Sequence, residues 1–161
     1  MLENLINLIR ENAGDAIINN NAIPNENNEK AIYATATSIT DVLSNAVSGG
    51  NLNGIMDLFN ANTSNTDNPI VSNIIDQVKS KLTGELNIDE NESSNISNSL
   101  VPNIIDKFVN KTNDPNDCNF DLKDIMSNIG GGNLDINSII SGISGGNSGG
   151  IGNMIGNLFG K

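Results

Sequence analysis

Apolar residues in this chain return every three or four positions, and that spacing dictates helices. Leu2, Leu5, Ile6, Ile9 and Ala13 share one helical face, and Ile32, Ala36, Ile39, Leu43 and Ala46 share another. Farther along, Ile70, Ile74, Val78 and Leu82 repeat the pattern, as do Ile96, Leu100, Ile104, Ile105 and Phe108. The expected fold is therefore all-α. The stretch Ser97–Met126 holds the bulkiest apolar residues and the densest polar turn, so the chain is expected to be organised around it. Gly14 is a mild interruption after which Ala16, Ile17 and Ile18 extend the first helix. Asn19-Asn-Asn21, Pro24, Gly49-Gly50 and the run Asn60–Asn68 read as breaks or loops. Ser93 or Ser94 is expected to cap the helix that follows the acidic loop Asn87–Asn91, and Pro102 to kink or restart that helix. A last short helix is expected from Phe120 to Ile129.

The helical plan occurs twice. Gly14 matches Gly84 and Leu8 matches Val78 at an offset of 70 (84 − 14 and 78 − 8), with Leu5 over Ile75. Val42, Leu43 and Val47 match Ile104, Ile105 and Val109 at an offset of 62 (104 − 42), and Leu52, Ile55 and Met56 match Leu122, Ile125 and Met126 at 70 (125 − 55). A shorter first loop and a longer second loop in the second copy account for the drop and return. The expectation is one helical domain over residues 1–130, built from pseudo-repeats 1–59 and 69–130, with a glycine-rich tail of weak amphipathic helices over 131–161. Each three-helix unit is too small to bury its own faces, so the two should share one core.

Composition narrows the chemistry. Aromatics are only 3% of the chain and there is no Trp, so the core must be built from Ile, Leu and Val. A net charge of −11 repels phosphate backbones and anionic lipid, so neither nucleic acid nor a membrane surface is an expected partner. Asn makes up roughly a fifth of the chain but is scattered among the apolar residues rather than gathered in a long tract. That placement fits a codon bias better than the stacked Asn ladders of amyloid. Met1–Arg10 lacks the basic start of a signal peptide, and no apolar run approaches the roughly 18 residues of a membrane span. With Cys118 as the lone cysteine, a soluble protein in the reducing cytoplasm is expected.

With no histidine there is no Ser-His-Asp triad, Cys-His pair or imidazole metal site. One cysteine builds no zinc site, and the acidic neighbours of Cys118 leave its thiol unactivated. Gly130-Gly-Gly-Asn133 lacks the Lys and Ser/Thr of a phosphate loop. The one metal-like cluster is Asp114, Asn116, Asp117, Asn119 and Asp121, whose alternate oxygen ligands echo the start of an EF-hand loop. Leu122 stands where that loop needs Gly, and Asn128 where it needs the bidentate Glu, so a polar turn is the favoured reading and a calcium-responsive binding protein the alternative. No catalytic residue, cofactor or metal is assigned. In the tail, Ile151, Met154, Ile155, Leu158 and Phe159 form one apolar stripe, flanked by the GxxxG spacings of Gly152, Gly156 and Gly160. Those five residues are the candidate interaction site, for another copy of the chain or another protein.

Glu11–Ala16, Asn21–Asn25 and above all Lys111-Thr-Asn-Asp-Pro-Asn-Asp117 followed by Phe120-Asp-Leu122 resemble the YidB-like bacterial family of unknown function, in the form common in Bacteroidetes. The likeness runs over nearly the whole chain, including the glycine-rich end, while the high asparagine content departs from the family. The resemblance implies a multihelical protein and supplies no activity or catalytic residues. The expected function is a non-enzymatic interaction or structural module that self-associates through the tail.

Overall fold

The computed structural model describes residues 2–60, 67–114, 116–120 and 122–129. The tail, with its stripe Ile151–Phe159, lies outside the described residues, as does Asp121. Among the described residues six α-helices follow one another: α1 (Leu2–Asn12), α2 (Asn28–Ser48), α3 (Leu52–Phe59), α4 (Pro69–Leu86), α5 (Glu90–Thr112) and α6 (Leu122–Ile129). No strand occurs among the described residues, and the all-α expectation holds. No helix among them is long and apolar enough to cross a membrane.

The helices interlock rather than sit in two separate groups. α1 packs on α2 and α4 on α5, but α2 also packs on α4 and α1 on α5. The third helices exchange as well, with α3 reaching α5 and α6 reaching α2. Leu8 and Val78 are both buried, as are Leu43 and Ile105, and Ile55 and Ile125. The pairing loosens at Leu5, which is fully buried while Ile75 is only partly so.

α2 is as central as the segment expected to organise the chain. It touches α1, α3, α4 and α6 as well as the wide turn that follows α1. Its small residues permit this, because Ala31, Ala34, Thr35, Ala36 and Ser38 are all buried. The two hydroxyls go underground without an unsatisfied donor: Thr35 Oγ1 donates to the Ala31 carbonyl at 2.9 Å and Ser38 Oγ to that of Ala34 at 2.8 Å. A periodicity count that scores Thr and Ser as polar misses this face.

Element ends correct several expectations. α1 stops at Asn12, and Gly14–Ile18 forms a wide π turn instead of extending it. The carbonyl of Ala13 accepts from both Ile17 N (2.8 Å) and Ile18 N (3.2 Å), and Gly14 O accepts from Asn19 N (2.7 Å). The wider turn carries Ala13 and Ile17 into the core together while Asp15 stays outside. α5 is capped by Asp89, whose side chain accepts from Asn91 N, and Ser93 sits buried inside the helix. A carboxylate at this position also favours the positive end of the helix dipole. The helix runs through Pro102 without restarting. Proline leaves the Asn98 carbonyl without its helical donor, and Asn98 is exposed, so water can serve it. Phe120 belongs to a 3-10 turn, Cys118–Phe120, and α6 begins at Leu122. At the junction of α2 and α3, Gly50 adopts φ +77, and Asn51 caps α3 by accepting from Gly54 N at 3.2 Å. A Cβ on Gly54 would lie 2.9 Å from that capping side chain, which explains the glycine.

Candidate functional site

The polar turn after α5 binds the two halves of the chain together. Asn113, the residue after α5, donates from its side chain to the Phe59 carbonyl at the end of α3 (3.0 Å). Across the turn, Asn4 of α1 donates to the Asn119 carbonyl at 2.8 Å, a contact spanning 115 residues of sequence. Phe120 anchors the turn in the core. Its ring meets Phe108 edge-on with centroids 5.9 Å apart, and Phe108 meets Phe59 likewise at 5.7 Å. Lys111 Nζ lies 5.5 Å from the Phe120 ring centroid and 3.1 Å from Asp117 Oδ2.

The acidic residues of this turn are engaged in holding it. Asp114 Oδ1 accepts from both the backbone N (2.9 Å) and the side-chain Nδ2 (3.1 Å) of Asn116, and Asp117 Oδ1 accepts from Asn119 N at 3.1 Å. These are the side-chain-to-backbone bonds that make Asp and Asn turn formers. The hydrogen bond from Lys111, aided by the Asn119 amide, holds the Asp117 carboxyl below the usual carboxylate range. A carboxylate so stabilised is a poor proton acceptor at neutral pH. Of the weak metal candidates, Asp114, Asp117 and Asn119 are thus brought into one turn, and Asp121 is outside the described residues. Among the described residues no three carboxylate or thiol groups converge on one point.

A cleft of about 220 Å3 opens between this turn and α1, with Asn7, Glu11 and Lys111 at its rim. A second, of about 330 Å3, lies where the wide turn Gly14–Ile18 meets α5. Its walls are the side chains of Asn12, Asp15 and Asn20 on one side and Asn95, Ser99 and Asn103 on the other, over a floor that includes Ile96 and Leu100. Sequence reasoning missed this second cleft because it depends on the chain bending at Gly14. The available signal was the row Asn95, Ser99, Asn103 at four-residue steps on one helix face.

Comparison with family models, curated proteins and solved structures finds no match to this chain.

If the turn is a structural clamp, calcium has nothing to gain there. Addition of millimolar calcium is expected to leave the melting temperature unchanged. A cation present at about 100 times its dissociation constant would add roughly 2.7 kcal/mol, well within reach of a melting curve. An upward shift that vanishes in Asp117→Ala would establish the calcium-responsive alternative.

Proposed function

We propose that this chain is a non-enzymatic interaction module of the cytoplasm, in which a rigid helical core carries an apolar C-terminal segment that joins it to a second copy. The observation that carries the reading is the stripe Ile151, Met154, Ile155, Leu158 and Phe159, set in a stretch from Ile136 to Gly160 that contains no charged residue within a chain of net charge −11. Burying each large side chain of the stripe is worth about 1.5–3 kcal/mol, whereas its glycines cost about 1 kcal/mol each in an isolated helix. Such a segment folds on binding. The core gives the stripe little to bind on its own chain: among the described residues the only large apolar side chains counted as exposed are Ile18 (40%) and Tyr33 (55%). That favours a partner over the chain's own surface, and the Gly145–Gly150 linker supplies the reach. The absence of histidine from the sequence and the amide-lined cleft beside α5 support a binding rather than a catalytic role. Membership of the YidB-like family, carried by Lys111–Asp117, belongs to the same reading.

Light scattering over a concentration series tests it. The full-length protein should gain mass with concentration, and the double variant Leu158→Asp with Phe159→Asp should stay monomeric. If both are monomeric over a wide range, self-association through the tail is wrong.

A further inference from the structure

The cleft between the wide turn and α5 has a feature that the interaction module just described does not use. Along its α5 wall, Asn95, Ser99 and Asn103 stand at four-residue steps, so successive side chains are about 6 Å apart along the helix axis. All three residues are exposed. Ser99 is turned back on its own helix, donating to the Ile96 carbonyl at 3.1 Å. Asn95 and Asn103 have no hydrogen-bond partner among the described residues, which leaves two whole amide groups about 12 Å apart facing the cleft. The opposite wall is held in place. Asn12 Nδ2 donates to the Leu8 carbonyl at 2.7 Å, Asn20 Nδ2 donates to that of Ala16 at 3.2 Å, and Asn20 Oδ1 accepts from Ala22 N at 2.9 Å. One wall is therefore tied to its own backbone, and the other presents two solvent-facing amides with no partner among the described residues.

An extended polypeptide has the complementary repeat. Each edge of a strand presents an N–H and C=O pair every second residue, about 6.6 Å apart, so residues four apart on one edge are separated by roughly 13 Å. A free carboxamide satisfies such a pair by donating to the carbonyl and accepting from the N–H. The cleft has one charged side chain, Asp15, whose Oδ1 already takes a bond from Asn19 Nδ2 at 3.3 Å. Neutral amides with an apolar floor suit an uncharged main chain, and the overall charge of −11 disfavours an acidic one. We propose that this cleft binds an extended, uncharged peptide segment of a partner protein by its main chain, with Asn95 and Asn103 as the two gripping residues.

The test follows the side-chain amide resonances of Asn95 and Asn103 in 15N-labelled full-length protein. The probe is a capped octapeptide of alternating serine and valine. Both resonances should shift and saturate, and the double variant Asn95→Leu with Asn103→Leu should weaken binding at least tenfold. The same octapeptide N-methylated at every residue should also lose at least tenfold, because methylation removes the donors of both edges. Four outcomes overturn the proposal. They are no shift with the probe, equal binding of the N-methylated peptide, equal binding of the double variant, and stronger binding of maltotriose than of the octapeptide. A fifth would as well: contacts from residues 130–161 to either amide before any peptide is added, which would assign the cleft to the chain's own tail. The result is independent of tail-driven association, since the Leu158→Asp, Phe159→Asp variant should bind the probe unchanged.

Discussion

Leu43→Ala and Ile105→Ala are each expected to lower the unfolding free energy by about 2–5 kcal/mol, the usual range for emptying a closely packed site. Leu43 lies on α2 and Ile105 on α5, both have 0% exposure, and both belong to the one continuous core cluster. They sit on two helices that receive packing from both halves of the chain. Neither site can collapse easily, because the flanking turns of each helix are buried as well, by Ile39 and Val42 on α2 and by Val101 and Phe108 on α5. The urea midpoint should therefore fall in both variants without a change in slope, which would signal a lost core contact rather than a changed unfolded state. A loss below about 1 kcal/mol at both positions would contradict their placement in the packed core.

Much of this architecture was legible because burial follows the i, i+3, i+4 pattern of large aliphatic residues. Ile70, Ile74, Val78 and Leu82 read directly as the inner face of α4, and all four are buried. The wide turn was not legible. Ala16, Ile17 and Ile18 continue the spacing of α1, yet the backbone gains one residue per turn at Gly14–Ile18 and moves Ile18 to the outside, 40% exposed. Periodicity cannot register such a shift, since the widened turn changes the backbone and not the order of the residues. Likewise Ser93 looked like a cap because serine favours that position, but Asp89 reaches it first and frees Ser93 for the core. The centrality of α2 was hidden in Ala, Thr and Ser, which add little to a hydrophobic pattern and much to close helix packing.

The turn cleft was readable in part. Lys111–Asp117 announced a dense polar turn, and the structure makes it one. Which groups it ties together could not be read, because the bonds from Asn4 to Asn119 and from Asn113 to Phe59 join residues 115 and 54 positions apart. Those contacts follow from the interlocking of the halves and from nothing local. The second cleft is hidden for a related reason: one wall is a face of α5 and the other the turn Gly14–Ile18, far away in sequence.

Interlocking of the halves is the claim on which the rest depends, and separating them tests it most directly. α2 packs on α4, α1 on α5, α3 on both α4 and α5, and α6 on α2, so each half alone would leave the inner faces of its helices in water. A chain of about 60 residues is at the margin of independent stability even with a complete core. Residues 1–64 and 65–161, cut within the loop Asn60–Asn68 and expressed separately, should each show far less than the helical circular dichroism of the intact chain. Mixed in equal amounts, they should recover that signal together with a single cooperative melt. If either half alone shows full helical signal and its own sharp transition, the two units are independent domains and the shared core proposed for this fold is wrong.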